Sequence, residues 1–250
     1  MKYFGYYRMF LMLILNKLML GKSNEILAIQ NIPCETLGIL KEFLESDGYR
    51  ISEILASKDV IPKNIENFDA IFLLGGPMSV NDNFEYIKKE KQLVVDSINL
   101  GIPILGICLG SQIIASSCGG KVYNGSKKEI GWEFVDITDD GKNSLFKNIT
   151  ERKIQVFQWH GDTFELPKNV NVLSYSNMYL QAFKYKTAFA IQFHLEVTKQ
   201  MILDWINEYQ IEIQSENIDK YELVFEMEKK VKDLSKYSKI VYKNFMSLIK

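Results

Sequence analysis

The sequence predicts an α/β fold, a mostly parallel sheet covered by helices on both faces. From Ile26 onward, short apolar runs alternate with helix-periodic segments, the succession that strand-helix-strand units produce. One of those runs, Ala70–Leu74, is apolar at every position, as parallel strands buried on both faces are. A third observation shows where chemistry would sit. Ile104-Leu105-Gly106-Ile107-Cys108-Leu109-Gly110-Ser111-Gln112 reads as a strand, a sharp corner and a helix, with a thiol at the corner. Ligands of such sheets bind beyond the carboxyl ends of the strands.

The chain has 250 residues, 47% hydrophobic and 24% charged, which suits one large domain or one domain with an appendage. A net charge of −1, with no Lys/Arg cluster interleaved with aromatics, argues against nucleic acid as a partner. The three cysteines show no C-x-x-C spacing, which argues against a disulfide framework and a thiolate zinc site. A free catalytic thiol fits a reducing, cytoplasmic setting.

The first twenty-three residues stand apart. Met9–Leu20 is apolar and follows Lys2 and Arg8, like a signal-peptide core. Asn16 and Lys17 interrupt it, however, and no small-residue cleavage site follows. It also falls short of the roughly 20 apolar residues a spanning helix needs, which argues against a membrane span. The expectation is an apolar extension over residues 1–23, as from a start codon placed upstream, before a domain over residues 24–250. Surface anchoring is the competing reading.

Within the domain, Ile26–Ile32 is expected as the first strand. Glu35–Asp47 follows as a helix with Leu37, Leu40, Phe43 and Leu44 on one face, ended by Gly48. Tyr49–Ile54 and Ala70–Leu74 are the next strands, Glu85–Leu100 a helix, Ile102–Ile107 the strand feeding the corner and Leu109–Cys118 the helix leaving it. From Gly119 the pattern changes to short alternating runs, some antiparallel: Lys121–Tyr123, Glu133–Thr138, Lys153–Phe157, Val170–Tyr175, Tyr179–Lys184 and Ala188–Phe193. Two helices close the chain, Lys199–Gln214 and one from about Ile218 to Ile249, making residues of about 198–250 a helical tail. Leu223, Val224, Met227, Val231 and Leu234 form a docking stripe on the last.

Cys108 is placed as in a cysteine version of the G-x-S-x-G nucleophile elbow. Gly106 and Gly110 relieve crowding at such a corner, and the free N–H groups of the helix that starts there are expected to lower the thiol pKa. Leu73-Leu74-Gly75-Gly76-Pro77 is a strand running into a turn whose glycine N–H, with that of Leu109, could hold a developing oxyanion. Phe193-His194-Leu195-Glu196 offers a base with an acid two residues on, both projecting to one side of an extended segment. Gln158-Trp159-His160-Gly161-Asp162 ends another strand. His160 is a rival base, and the spacing favours His194 only about two to one; a metal site is not expected, and a lining role toward a polar substrate is.

Gly-Gly-Pro, Gly-Ile-Cys-Leu-Gly-Ser-Gln, Trp-His-Gly-Asp and Phe-His-Leu-Glu, in this order, resemble the class I (triad) glutamine amidotransferase family. The likeness is nearest to the amidotransferase domain of GMP synthase and its stand-alone relatives, and covers about residues 26–197. It implies a three-layer, flavodoxin-like α/β/α sandwich and a triad of Cys108, His194 and Glu196. It further implies an oxyanion hole at Gly76 and Leu109, with substrate recognition by Gln112, Gln158, Trp159 and His160. Gln158-Trp159 departs from the synthases and is similar to the stand-alone subgroup. No cofactor is implied.

The expected chemistry is cysteine-dependent hydrolysis of a γ-glutamyl amide. In the first form glutamine gives glutamate and ammonia, and because no G-x-x-x-x-G-K-[ST] is present, a separate synthase polypeptide would receive the ammonia. In the alternative the substrate is a γ-glutamyl peptide or amide with a larger amine. A non-catalytic regulatory subunit would be expected to have lost Cys108, His194 or Glu196, and all three are present. Cysteine-peptidase-like relatives with a similar elbow commonly have histidine directly after the nucleophile, where this chain has Leu109.

Overall fold

A computed structural model describes residues 23–249. Nearly all of the expected extension over residues 1–23 therefore lies outside the described residues. The first half runs β1 (Glu25–Gln30), α1 (Ile39–Ser46), β2 (Arg50–Leu55), β3 (Ala70–Leu73), α2 (Glu85–Leu100), β4 (Ile104–Ile107) and α3 (Leu109–Ser117). The second runs β5 (Lys121–Ile137), α4 (Asp139–Lys142), β6 (Lys153–Glu165), β7 (Asn171–Tyr175), β8 (Leu180–Tyr185) and β9 (Ala188–Ile191). Helices α5 (Lys199–Glu208), α6 (Gln210–Ser215), α7 (Lys220–Val224) and α8 (Met227–Met246) complete the chain.

All strands join one sheet in the order β2-β1-β3-β4-β9-β8-β7-β5-β6. Every pair from β2 to β9 is parallel, and every pair from β9 to β6 is antiparallel. The strand period of two sorts the core into two layers. Ile26, Ala28, Phe72, Leu105, Phe189 and Ile191 face Leu40 and Leu44 of α1, Trp205 of α5 and Phe245 of α8. Leu27, Ile29, Ile71, Leu73, Ile104 and Ala190 face Val94 of α2 and Ile113 of α3. The fold is thus an α/β/α sandwich whose parallel half carries β4 and the elbow.

Several boundaries depart from the pattern, among them β6, which runs on to Glu165 rather than ending at Phe157, and four others have a local cause. Helix α1 begins at Ile39 rather than Glu35, because Gly38 takes φ 50° and the Ile39 N–H donates to the Glu196 carbonyl at 2.9 Å. The runs at 121–123 and 133–138 belong to one strand, β5, whose register with β6 breaks between Asn124 and Glu129. The helix expected over Lys199–Gln214 divides at Tyr209. The last expected helix is broken by Glu226, which sits at φ 52°. Among the described residues, no helix is long and apolar enough to cross a membrane.

Candidate active site

Cys108 joins β4 to α3 with φ 52° and ψ −111°, a region that L side chains rarely occupy. The neighbouring glycines explain how so tight a corner is built. A Cβ on Gly110 would lie 2.0 Å from the Leu73 carbonyl oxygen, and one on Gly106 would lie 2.5 Å from the Gly110 carbonyl oxygen. Only glycine lets α3 pack this closely on β3 and β4. The corner is held by the Cys108 N–H, which donates to the Ile191 carbonyl, and by the Ser111 hydroxyl, which donates to the Cys108 carbonyl at 2.6 Å.

The thiol is buried, at 5% exposure. It donates to the Trp159 carbonyl oxygen at 3.6 Å, and the His194 ring lies close enough to favour its thiolate. The expected lowering of the thiol pKa is not what results. Burial pushes the Cys108 thiol above its ordinary value, and the pull of His194 offsets this only in part. Burial also works against a charged imidazole. The Glu196 carboxylate and the Cys108 sulfur outweigh it, so His194 is raised well above the usual histidine range. A ring so disposed is a strong base toward the thiol proton.

His194 follows β9, where its N–H donates to the Phe157 carbonyl in an isolated bridge to β6. Its Nδ1–H donates to Glu196 Oε1 at 2.6 Å, the one-sided projection that the Phe-His-Leu-Glu spacing calls for. The backbone of this segment is tied on two sides. The Ser238 hydroxyl of α8 donates to the Leu195 carbonyl at 2.6 Å, and the start of α1 holds the Glu196 carbonyl. The Trp205 indole packs edge-on against the imidazole, with centroids 4.7 Å apart. Trp159 in turn packs against Trp205 and Tyr209, and its indole N–H donates to Glu212.

The Gly75-Gly76 turn meets this group from β3. A Cβ on Gly76 would lie 3.2 Å from Leu109 Cδ2, and one on Gly75 would lie 3.3 Å from His194 Cε1. Among the described residues, neither the Gly76 nor the Leu109 N–H donates to a protein acceptor. Asn31 underlies the turn: a Cβ on Gly76 would lie 2.8 Å from its Cβ, and its amide donates to the Leu74 carbonyl at 3.2 Å. Beside Asn31 lies the Glu90 carboxyl of α2. It is fully buried, makes no hydrogen bond of good geometry, and is pushed up to about 8 by burial despite the pull of the Asn31 amide.

The four expected recognition residues divide. Trp159 faces the thiol and the imidazole cluster. Gln158 and His160 point to the other face of β6, where Gln158 donates to Gln181 at 2.8 Å and His160 Nε2 lies 3.0 Å from Glu129. Burial opposes charge on Glu129, but hydrogen bonds from His160, Ser176 and Gln181 hold its carboxyl below the usual range. Gln112, on α3, donates to the Asp162 carbonyl at 3.1 Å and to Gln192 at 3.3 Å.

Glu35, Trp205 and Tyr209 complete the surroundings of His194, and sequence reasoning did not find them. Trp205 and Tyr209 fall within the helix expected over Lys199–Gln214, to which no role at the site is assigned. Glu35 read as the first residue of a surface helix.

Comparison with known proteins gives a consistent picture. The family model for glutamine amidotransferase class-I matches residues 41–202. A GMP synthase [glutamine-hydrolyzing] of Borreliella burgdorferi is 36% identical over 63% of this chain and 31% of its own length. One of Brachyspira hyodysenteriae is 42% identical over 51% of this chain and 24% of its own. The chain thus spans less than a third of the length of these curated relatives. A crystal structure of a glutamine amidotransferase from Thermotoga maritima superposes with a TM-score of 0.82 at 31% identity, over 89% of this chain and 97% of that one.

Proposed function

The chain belongs to the class-I glutamine amidotransferase family, and from that premise we propose that it hydrolyses a γ-glutamyl amide at Cys108, with glutamine as donor. One observation carries the reading. A strained, buried thiol lies beside an imidazole whose far nitrogen is fixed by a carboxylate at 2.6 Å, facing a glycine turn with unengaged N–H groups.

In this mechanism His194 takes the thiol proton and Cys108 Sγ attacks the carboxamide carbon. The Gly76 and Leu109 N–H groups receive the oxyanion. The C–N bond breaks as the proton passes from His194 to the departing nitrogen, leaving a γ-glutamyl thioester. Water, deprotonated by His194, adds to the thioester; the C–S bond breaks, glutamate leaves and the thiol is restored. Glu196 orients the ring and stabilises its cation throughout. Gln112 and the Trp159 segment line the side where the amino acid portion would sit.

Glutamine is the first donor to test because relatives of this chain are named as glutamine-hydrolyzing. Ammonia released here would serve a separate synthase polypeptide. Glutamine and a γ-glutamyl dipeptide compared side by side, with mass spectrometry of the trapped adduct, test the proposal. Expected are glutamate release from glutamine and a γ-glutamyl mass on Cys108, absent in Cys108→Ala. Faster cleavage of the dipeptide would establish the peptidase alternative instead.

A further inference from the structure

We propose that Glu35 receives the leaving nitrogen: its free carboxylate oxygen accepts a hydrogen bond from the amine as His194 protonates it. This rests on the γ-glutamyl reading above.

Glu35 lies between β1 and α1 and is 6% exposed. Its two oxygens are in different situations. Oε1 accepts from the Tyr209 hydroxyl at 2.8 Å, which fixes the carboxyl from the junction of α5 and α6. Oε2 is buried and has no partner among the described residues. It is also the atom that enters the site. A Cβ on Gly75 would lie 2.0 Å from Glu35 Oε2 and 3.3 Å from His194 Cε1, so the carboxyl fills the space the glycine leaves, next to the edge of the imidazole.

The ring geometry then decides what Oε2 can meet. Cε1 is bonded to both ring nitrogens, and Nδ1 is occupied by Glu196. The departing nitrogen must therefore approach Nε2, which is bonded to the Cε1 that borders the same space beside Gly75 as Oε2. That nitrogen carries N–H donors beyond the proton it receives from His194. A buried carboxylate oxygen without a donor is costly, and the amine supplies the donor. The interaction strengthens as the nitrogen gains positive character, so it favours the transition state over bound substrate. Burial raises the Glu35 carboxyl to about 7, with His194 pulling against that rise, so an ionised fraction exists at neutral pH.

Two substrates that form the same thioester separate this role from simple support of the ring: L-glutamine and L-glutamate γ-methyl ester. The ester oxygen carries no hydrogen for Glu35 to accept. In Glu35→Gln the Tyr209 hydroxyl donates to the amide oxygen, which puts an NH₂ group where Oε2 was and replaces an acceptor with a donor. The expected result is a fall in kcat/KM for glutamine that exceeds the fall for the ester about ten- to hundredfold, the range of one hydrogen bond to a charged group. Tyr209→Phe, which only loosens the carboxyl, should shift the same ratio less. Equal losses on both substrates would make Glu35 a support of the imidazole and overturn the inference alone. A wild-type chain that turns over neither substrate would overturn the γ-glutamyl reading, and the inference with it.

Discussion

Glu90→Gln tests the buried carboxyl beneath the Gly75-Gly76 turn. In the folded chain Glu90 keeps its proton up to about pH 8, whereas unfolded it titrates near 4.5. Between those values the unfolded state binds fewer protons, so wild-type stability falls as pH rises and levels off above 8. At about 1.4 kcal/mol per tenfold, the interval corresponds to about 5 kcal/mol. Glutamine has nearly the same shape and no charge to bury, so it removes this slope. Urea unfolding of both proteins at pH 4.5 and pH 9 gives the comparison. The variant should gain about 4 kcal/mol on wild type between the two pH values, within the reach of a titration over that range. The effect of Glu35, also raised, is common to both proteins and cancels. A stability difference that does not change with pH would mean that Glu90 is solvated, and would refute the account of the turn's support.

Four further outcomes are expected. Cys108→Ala and Cys108→Gly should both abolish glutamate release. The glycine variant should be the more stable by about 1 kcal/mol, because it relieves the positive φ, and should melt about 2–4 °C higher in calorimetry. His194→Ala should be nearly as inactive as Cys108→Ala, while His160→Ala, whose ring lies on the other face of β6 against Glu129, should spare most of the activity. The second change leaves Glu129 without its ring partner, at about 1–3 kcal/mol in urea unfolding; equal inactivation by both would overturn His194 as the base. Gly110→Ala drives a methyl group into the Leu73 carbonyl, which should cost about 1–3 kcal/mol and lower kcat through displacement of Cys108.

Much of the molecule was legible because its local signals agree with its tertiary demands. The apolar runs at Ala70–Leu74 and Ile104–Ile107 have no polar alternative to a buried strand. Helix α2 spans the predicted Glu85–Leu100, with Gly101 at φ 72° ending it. His194 and Glu196 could be paired because an extended segment puts alternate residues on one side. The same alternation was overlooked at Gln158-Trp159-His160, which was treated as one lining surface although a strand must turn its middle residue away from the other two. The runs Lys121–Tyr123 and Glu133–Thr138 read as separate strands, yet β6 runs unbroken beside both and joins them as one strand with an irregularity between Asn124 and Glu129. Glu35 was hidden because its role depends on Tyr209, 174 residues away, and on a glycine that leaves it room.

The hydroxyl of Ser238 has a practical consequence for anyone trimming this protein. The stretch matched by the family ends at residue 202, and a truncation there would retain Cys108, His194 and Glu196. It would also cut the tether from α8 to the carbonyl between His194 and Glu196, leaving that strap held only at its two ends, by the Phe157 carbonyl and the Ile39 N–H. A shortened version would also strip Trp205 and Phe245 from the sheet layer they cover, so the lost tether and the bared core should fail together.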